Sequence, residues 1–241
     1  MAQTKPQTHG ARQPQRKVLV RVTLLLALAA ALLNASWAQG ALVVGLRADD
    51  CPAELLIEAR ERVAGLLGSV LAQPLVGCLA KPALGVDVAY GQTRFAPLLP
   101  AVILLGPAGQ NVDVIAHEWV HAELANRVGV LVRSWRLPTW FDEGLAMQVD
   151  QRPAYRWPAP AGVGIARPQL AQLTSAGQFF TGDTRLARAR YGYARCVVAQ
   201  WRQRAALDLS EWLAQRSLWQ SFPAAQFNRV EGYCPGPDVE H

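Results

Sequence analysis

His117-Glu118-Trp119-Val120-His121 is the stretch on which the reading of this chain turns. It falls inside Asn111 to Arg127, which opens on a cap-type Asn111 with an early Asp113 and is followed by Gly129. Those features predict a helix. Four helical residues advance about 400°, so His117 and His121 lie about 40° apart on one face, about 6 Å apart along the axis. Two imidazoles so placed can reach one metal ion. Glu118 lies about 100° round from His117, where a carboxylate can take a proton from a bound water. A chance match on an amphipathic helix would leave both histidines as ordinary core or surface residues. Histidine usage argues against chance: beyond residue 38 the only other histidine is the C-terminal His241.

Catalytic zinc usually takes three protein ligands and keeps a fourth position open. Glu143 is the candidate third ligand. It follows His121 by 22 residues, in Pro138-Thr139-Trp140-Phe141-Asp142-Glu143-Gly144-Leu145-Ala146. A helix is expected there from about Thr139 to Val149. Packed antiparallel to the first helix, it would carry the carboxylate back to the histidines, with small Gly144 and Ala146 allowing close approach. Hydrolysis at such a centre also needs a donor for the developing oxyanion. No internal histidine is spare, so the donor is a tyrosine, an arginine or backbone. Tyr191-Gly192-Tyr193-Ala194-Arg195 offers two tyrosines.

Working outward, apolar residues at helical spacing predict a helix over Pro52 to Leu71. Val86 to Tyr90 and Ala101 to Leu105 read as strands, the second ended by Gly106-Pro107. Residues 151–168 are rich in Pro and Gly and read as a long surface loop, with a border of a substrate cleft, through Tyr155 and Trp157, as the alternative. Helices are expected at Thr184 to Arg204, Leu209 to Leu218 and Pro223 to Val230. The order gives an α+β fold: a small N-terminal sheet, the motif helix, then a mostly helical C-terminal half. Glu123 and Arg127 are expected to form an ion pair on the helix surface. Trp119, Trp135 and Trp140 are expected to pack between the two motif helices. Asp150 reads as a solvated charge, with orientation of a ligand histidine as the alternative.

The chain has 241 residues, 51% apolar and 17% charged, which excludes disordered, collagenous and multi-span membrane classes. Its net charge of +6 is local. Lys5, Arg12, Arg16, Lys17 and Arg21 precede residue 39 and no acidic residue does; the remainder holds 19 basic against 18 acidic residues. A nearly neutral remainder offers no footprint for nucleic acid. The basic start, the apolar run Val22 to Leu33 and the small Ser36 and Ala38 have a secretory signal's layout. Cleavage after Ala38 would make 1–38 a signal peptide and 39–241 a single exported domain, periplasmic or secreted. An uncleaved membrane anchor is the alternative, because apolar character resumes at Ala41 to Leu46. Cys51, Cys78, Cys196 and Cys234 all follow residue 38, and an oxidising compartment implies two disulfides. Three pairings exist; proximity favours Cys51 with Cys78 and Cys196 with Cys234.

The motif with WFDEGLA at 140–146 resembles the gluzincin metallopeptidases, above all the aminopeptidase N type and shorter peptidase MA-like domains. The resemblance covers about residues 101 to 205. It implies a zincin-like fold, Zn2+ bound by His117, His121 and Glu143, Glu118 as general base, and a peptide or protein substrate. It also favours Tyr191 over Tyr193 as oxyanion donor, because Tyr191, Ala194, Val197 and Val198 match the register of the MA-like domains. Leu124 and Arg127 stand where HExxHxxGxxH enzymes have Gly and His, Met147 where thermolysin-like enzymes have Asp, and Asp142 where aminopeptidases often have Asn. No motif for anchoring a free substrate amine is present, so aminopeptidase specificity does not carry over. The rival expectations are an exported zinc-binding domain without proteolytic activity and a non-enzymatic envelope interaction domain. A purely structural zinc site needs no base, so Glu118 argues for hydrolysis.

Overall fold

The computed structural model describes residues 13–47, 51–80, 90–158, 166–205 and 208–234. Chain order runs α1 (Gln13–Arg47), α2 (Ala53–Leu67), β1 (Leu75–Cys78), β2 (Gly91–Arg94), β3 (Val102–Leu105), α3 (Val112–Val128), α4 (Val130–Arg136) and α5 (Thr139–Ala146). It continues with α6 (Ala176–Phe179), α7 (Thr184–Ala205), α8 (Leu209–Ala214) and α9 (Ala224–Asn228). This is the expected α+β arrangement, a small sheet followed by a mostly helical half.

The sheet is ordered β1-β3-β2, with β1 parallel and β2 antiparallel to β3. β3 is buried on both faces, as a continuous apolar run between two layers must be. Its alternation sorts the layers: Val102 and Leu104 join Val44 of α1 and Leu79, while Ile103 and Leu105 join the main core with α2 and α3. The strand expected at Val86 to Tyr90 falls on residues 86–89, outside the described ones, and on Tyr90, a bend. Among the described residues the strand antiparallel to β3 is Gly91–Arg94.

α3 begins as read: Asn111 Oδ1 accepts from the Val114 N–H at 3.1 Å, and Gly129, at φ 83°, ends it. It is not amphipathic. Val114 to Ala125 is buried without interruption, because α2, β2, α4, α5 and α8 all pack around it. Glu123 therefore pairs with Arg127 (3.0 Å) in the interior and not on the surface, and its Oε1 accepts the N–H groups of Leu71 and Ala72, each at 2.6 Å. Trp119 and Trp140 are core residues, but Trp135 is 57% exposed on α4, an element the sequence reading missed. Both disulfides join the nearer partners, Cys51–Cys78 and Cys196–Cys234.

Candidate metal centre

His117 and His121 project from one face of α3 and meet Glu143 from α5. His117 Nε2 and His121 Nε2 are 3.2 Å apart, and Glu143 Oε2 lies 3.2 Å from the first and 3.5 Å from the second. A tetrahedron with bonds of about 2.0–2.1 Å has edges of about 3.3–3.4 Å, so these separations suit three ligands of one ion. Glu143 Oε2 is buried and makes no hydrogen bond, although buried carboxylate oxygens normally do. Its place against both imidazoles without a hydrogen bond to either fits a metal. The group His117, His121 and Glu143 can thus hold a metal ion.

The outer nitrogens of the two rings face carboxylates. His121 Nδ1 lies 2.7 Å from Asp142 Oδ1, whose other oxygen is 2.6 Å from an Arg133 guanidinium nitrogen. Arg133 in turn stacks on Phe95. Asp142 follows from the sequence only as a departure from a pattern; its place beside His121 comes from the one-residue offset that turns it to the other side of α5's ligand face. Asp150 is fully buried, with Oδ2 3.9 Å from His117 Nδ1, and is gripped by Arg152. It is not the solvated charge expected; at 3.9 Å it makes no hydrogen bond to His117, whose Nδ1 is buried without one, so the ring-orienting alternative is not realised here. Burial opposes a charged His121, yet Asp142 and Glu143 outweigh it and raise its pKa to about 10. Burial likewise opposes the Glu143 carboxylate, but His121 and His117 hold it well below the usual carboxylate range. Each group keeps its charge because the other is there.

Glu118 is 8% exposed. Thr93 Oγ1 donates to its Oε2 at 2.6 Å and also lies 3.0 Å from its carbonyl oxygen. Gly91 makes room for it, since a Cβ there would come within 2.9 Å of Glu118 Oε1. β2 thus fixes this carboxylate, a contribution the sequence did not show because no strand was expected over Gly91–Arg94.

Tyr191 reaches the same place from α7. Its ring lies 6.1 Å from that of His117 and packs edge-on against Tyr155 and Phe179. Burial, then the charges of Glu143 and Glu118, raise its pKa well above the ordinary value, so its hydroxyl keeps its proton. Tyr193 instead accepts a bond from Arg167 and donates to Glu231. Residues 151–158, the described start of the expected surface loop, are mostly exposed, with Tyr155 packed on Tyr191 and Trp157 on Tyr193. No family model, curated protein or solved structure matches the chain.

Proposed function

We propose that the chain is a zinc-dependent peptidase of gluzincin type, with His117, His121 and Glu143 as ligands and Glu118 as general base. One observation carries this reading: three converging ligand atoms 3.2–3.5 Å apart, one of them a buried carboxylate oxygen without a hydrogen bond. Two imidazoles and a carboxylate are the donor set of many catalytic zinc sites. When bound, the metal supplies Lewis acidity, lowering the pKa of water and polarising a carbonyl oxygen.

The protein's own groups supply the rest. Glu118, its rotamer held by Thr93, accepts the proton of the attacking water as the oxygen bonds to the peptide carbonyl carbon. It then returns that proton to the leaving amine as the C–N bond breaks. Tyr191, neutral and held by its aromatic neighbours, donates to the developing oxyanion.

The test combines metal analysis with cleavage of a peptide library. The protein purified without chelator should bind one zinc, and His121→Ala should abolish tight binding. Glu118→Gln should keep the metal while hydrolysis falls by at least about 10²-fold, the usual range for losing a general base. A protein that takes up no zinc overturns the whole reading. Zinc without cleavage of any library peptide points instead to a metal-binding domain without proteolytic activity.

A further inference from the structure

α1 is one continuous helix of 35 residues, and its last third belongs to the domain. Trp37 and Ala41 pack with Val44 on Leu79, Val102 and Leu104, and Trp37 Nε1 donates to Pro100 O at 2.6 Å. The approach is close, since a Cβ on Gly77 would sit 2.8 Å from Val44 Cγ2 and 3.2 Å from Val44 Cα. Register gives the direction. Trp37 meets the β2–β3 connection, Gly40 lies against Arg94 and Val102 at the strand ends beside it, and Val44 lies against Gly77, farther along β1. The helix before Trp37 therefore projects past the 95–101 connection. There Leu25, Leu26, Leu28 and Leu32 are each at least half exposed. The apolar window of α1 is Leu25–Leu42. Ahead of the docked Trp37 the stretch without a charged residue is 22–36, about 22 Å of helix, which crosses the hydrocarbon core with the Arg21 side chain reaching back to the headgroups.

That end of the domain is itself apolar. Leu98 is fully exposed at φ 64°, a left-handed conformation unfavourable for a leucine, and here it buries nothing. Leu98, Leu99, Leu71 and Leu131 line one groove, and Trp135 follows Leu131 by one turn of α4. Segments 69–76, 95–101 and 128–132 contain no charged residue. A patch of this kind marks an interaction surface.

We propose that α1 is retained as a membrane anchor and that the patch centred on Leu98 and Leu99 docks on the outer face of the same bilayer. The occupant is the lipid surface because the patch lies where the spanning helix leaves the domain. Trp37 and Trp135 are residues favoured at the membrane–water interface. The basic residues before the span keep the N-terminus cytoplasmic, which puts the disulfide-bonded domain on the oxidising side. The inference stands apart from the metal centre and survives if no zinc is bound.

The test uses the full chain reconstituted in phosphatidylcholine vesicles, with Leu98→Cys carrying an environment-sensitive fluorophore and Leu99→Cys as a second variant. All four native cysteines are paired, so the label is single. Lipids spin-labelled near the headgroup should quench either site at least about threefold more than the same label on Asp183→Cys, as expected for side chains in the headgroup region. Mass spectrometry of the membrane fraction should find the chain intact from its first residues. Equal quenching at both kinds of site, a soluble chain beginning at Gln39, or self-quenching between two copies at position 98 would each overturn the proposal.

Discussion

Asp142 determines how His121 can serve a metal. A carboxylate 2.7 Å from Nδ1 fixes the ring and its tautomer, leaving Nε2 for the ion, and Arg133 anchors that carboxylate from behind. Asp142→Ala should therefore lower metal affinity by about 10–100-fold without removing a ligand, as read by competition with a chromophoric chelator. The same environment sets a pH dependence. In the metal-free protein His121 titrates near 10 instead of 6.5, so its contribution to stability is fully present below about pH 6.5 and is lost as pH rises through about 10. Glu143 works the other way: its contribution is present above the ordinary carboxylate pKa and is lost as pH falls. Metal uptake near pH 7.5 must displace the His121 proton. Calorimetry in buffers of different ionisation enthalpy should find about one proton released per metal bound, and no release would contradict the assigned charge state.

At the scale of elements the crossing of α5 and α7 holds the centre together. It brings Glu143 and Tyr191 to one place, and the contact point is Gly144, next to the ligand. A Cβ on Gly144 would sit 2.6 Å from Ala194 O and 2.8 Å from Ala194 C, both backbone atoms that no rotamer change can move. Gly144→Ala should therefore force the helices apart, costing about 1–3 kcal/mol by overpacking, and loosen the metal site with them. Gly177→Ala in α6, where a Cβ meets nothing within 4 Å, is the matched control and should be nearly neutral. Denaturant unfolding with metal titration separates the two variants; equal stability would show that the crossing yields.

On the scale of the whole molecule, two disulfides tie the ends of the fold to its middle. Cys51–Cys78 joins the start of α2 to β1 across 27 residues, and Cys196–Cys234 joins α7 to the C-terminal segment across 38. By chain entropy each loop should contribute about 3.5–4 kcal/mol. Replacing Cys196 and Cys234 together by serine should shift the denaturation midpoint accordingly and release the segment that covers α7. An unchanged midpoint would place the stability of that half in its aromatic core of Phe141, Trp201, Trp212 and Phe227 alone.

The motif helix, its cap and its end, the helix carrying Glu143, the buried strand Val102–Leu105 and the disulfide pairs were all legible in the sequence. Each rests on local geometry: i,i+4 spacing, capping chemistry or short loops. Only the tertiary structure decided which of these elements are buried and what their charges meet. A helix enclosed on all sides has no polar face to reveal its orientation, so Glu123 read as surface although it caps backbone amides 52 and 51 residues away in the interior. Thr93 beside Glu118, Asp150 beside His117 and Trp37 against Pro100 join segments 25 to 63 residues apart. Periodicity carries no record of such contacts, because they arise only when separate elements close around one core.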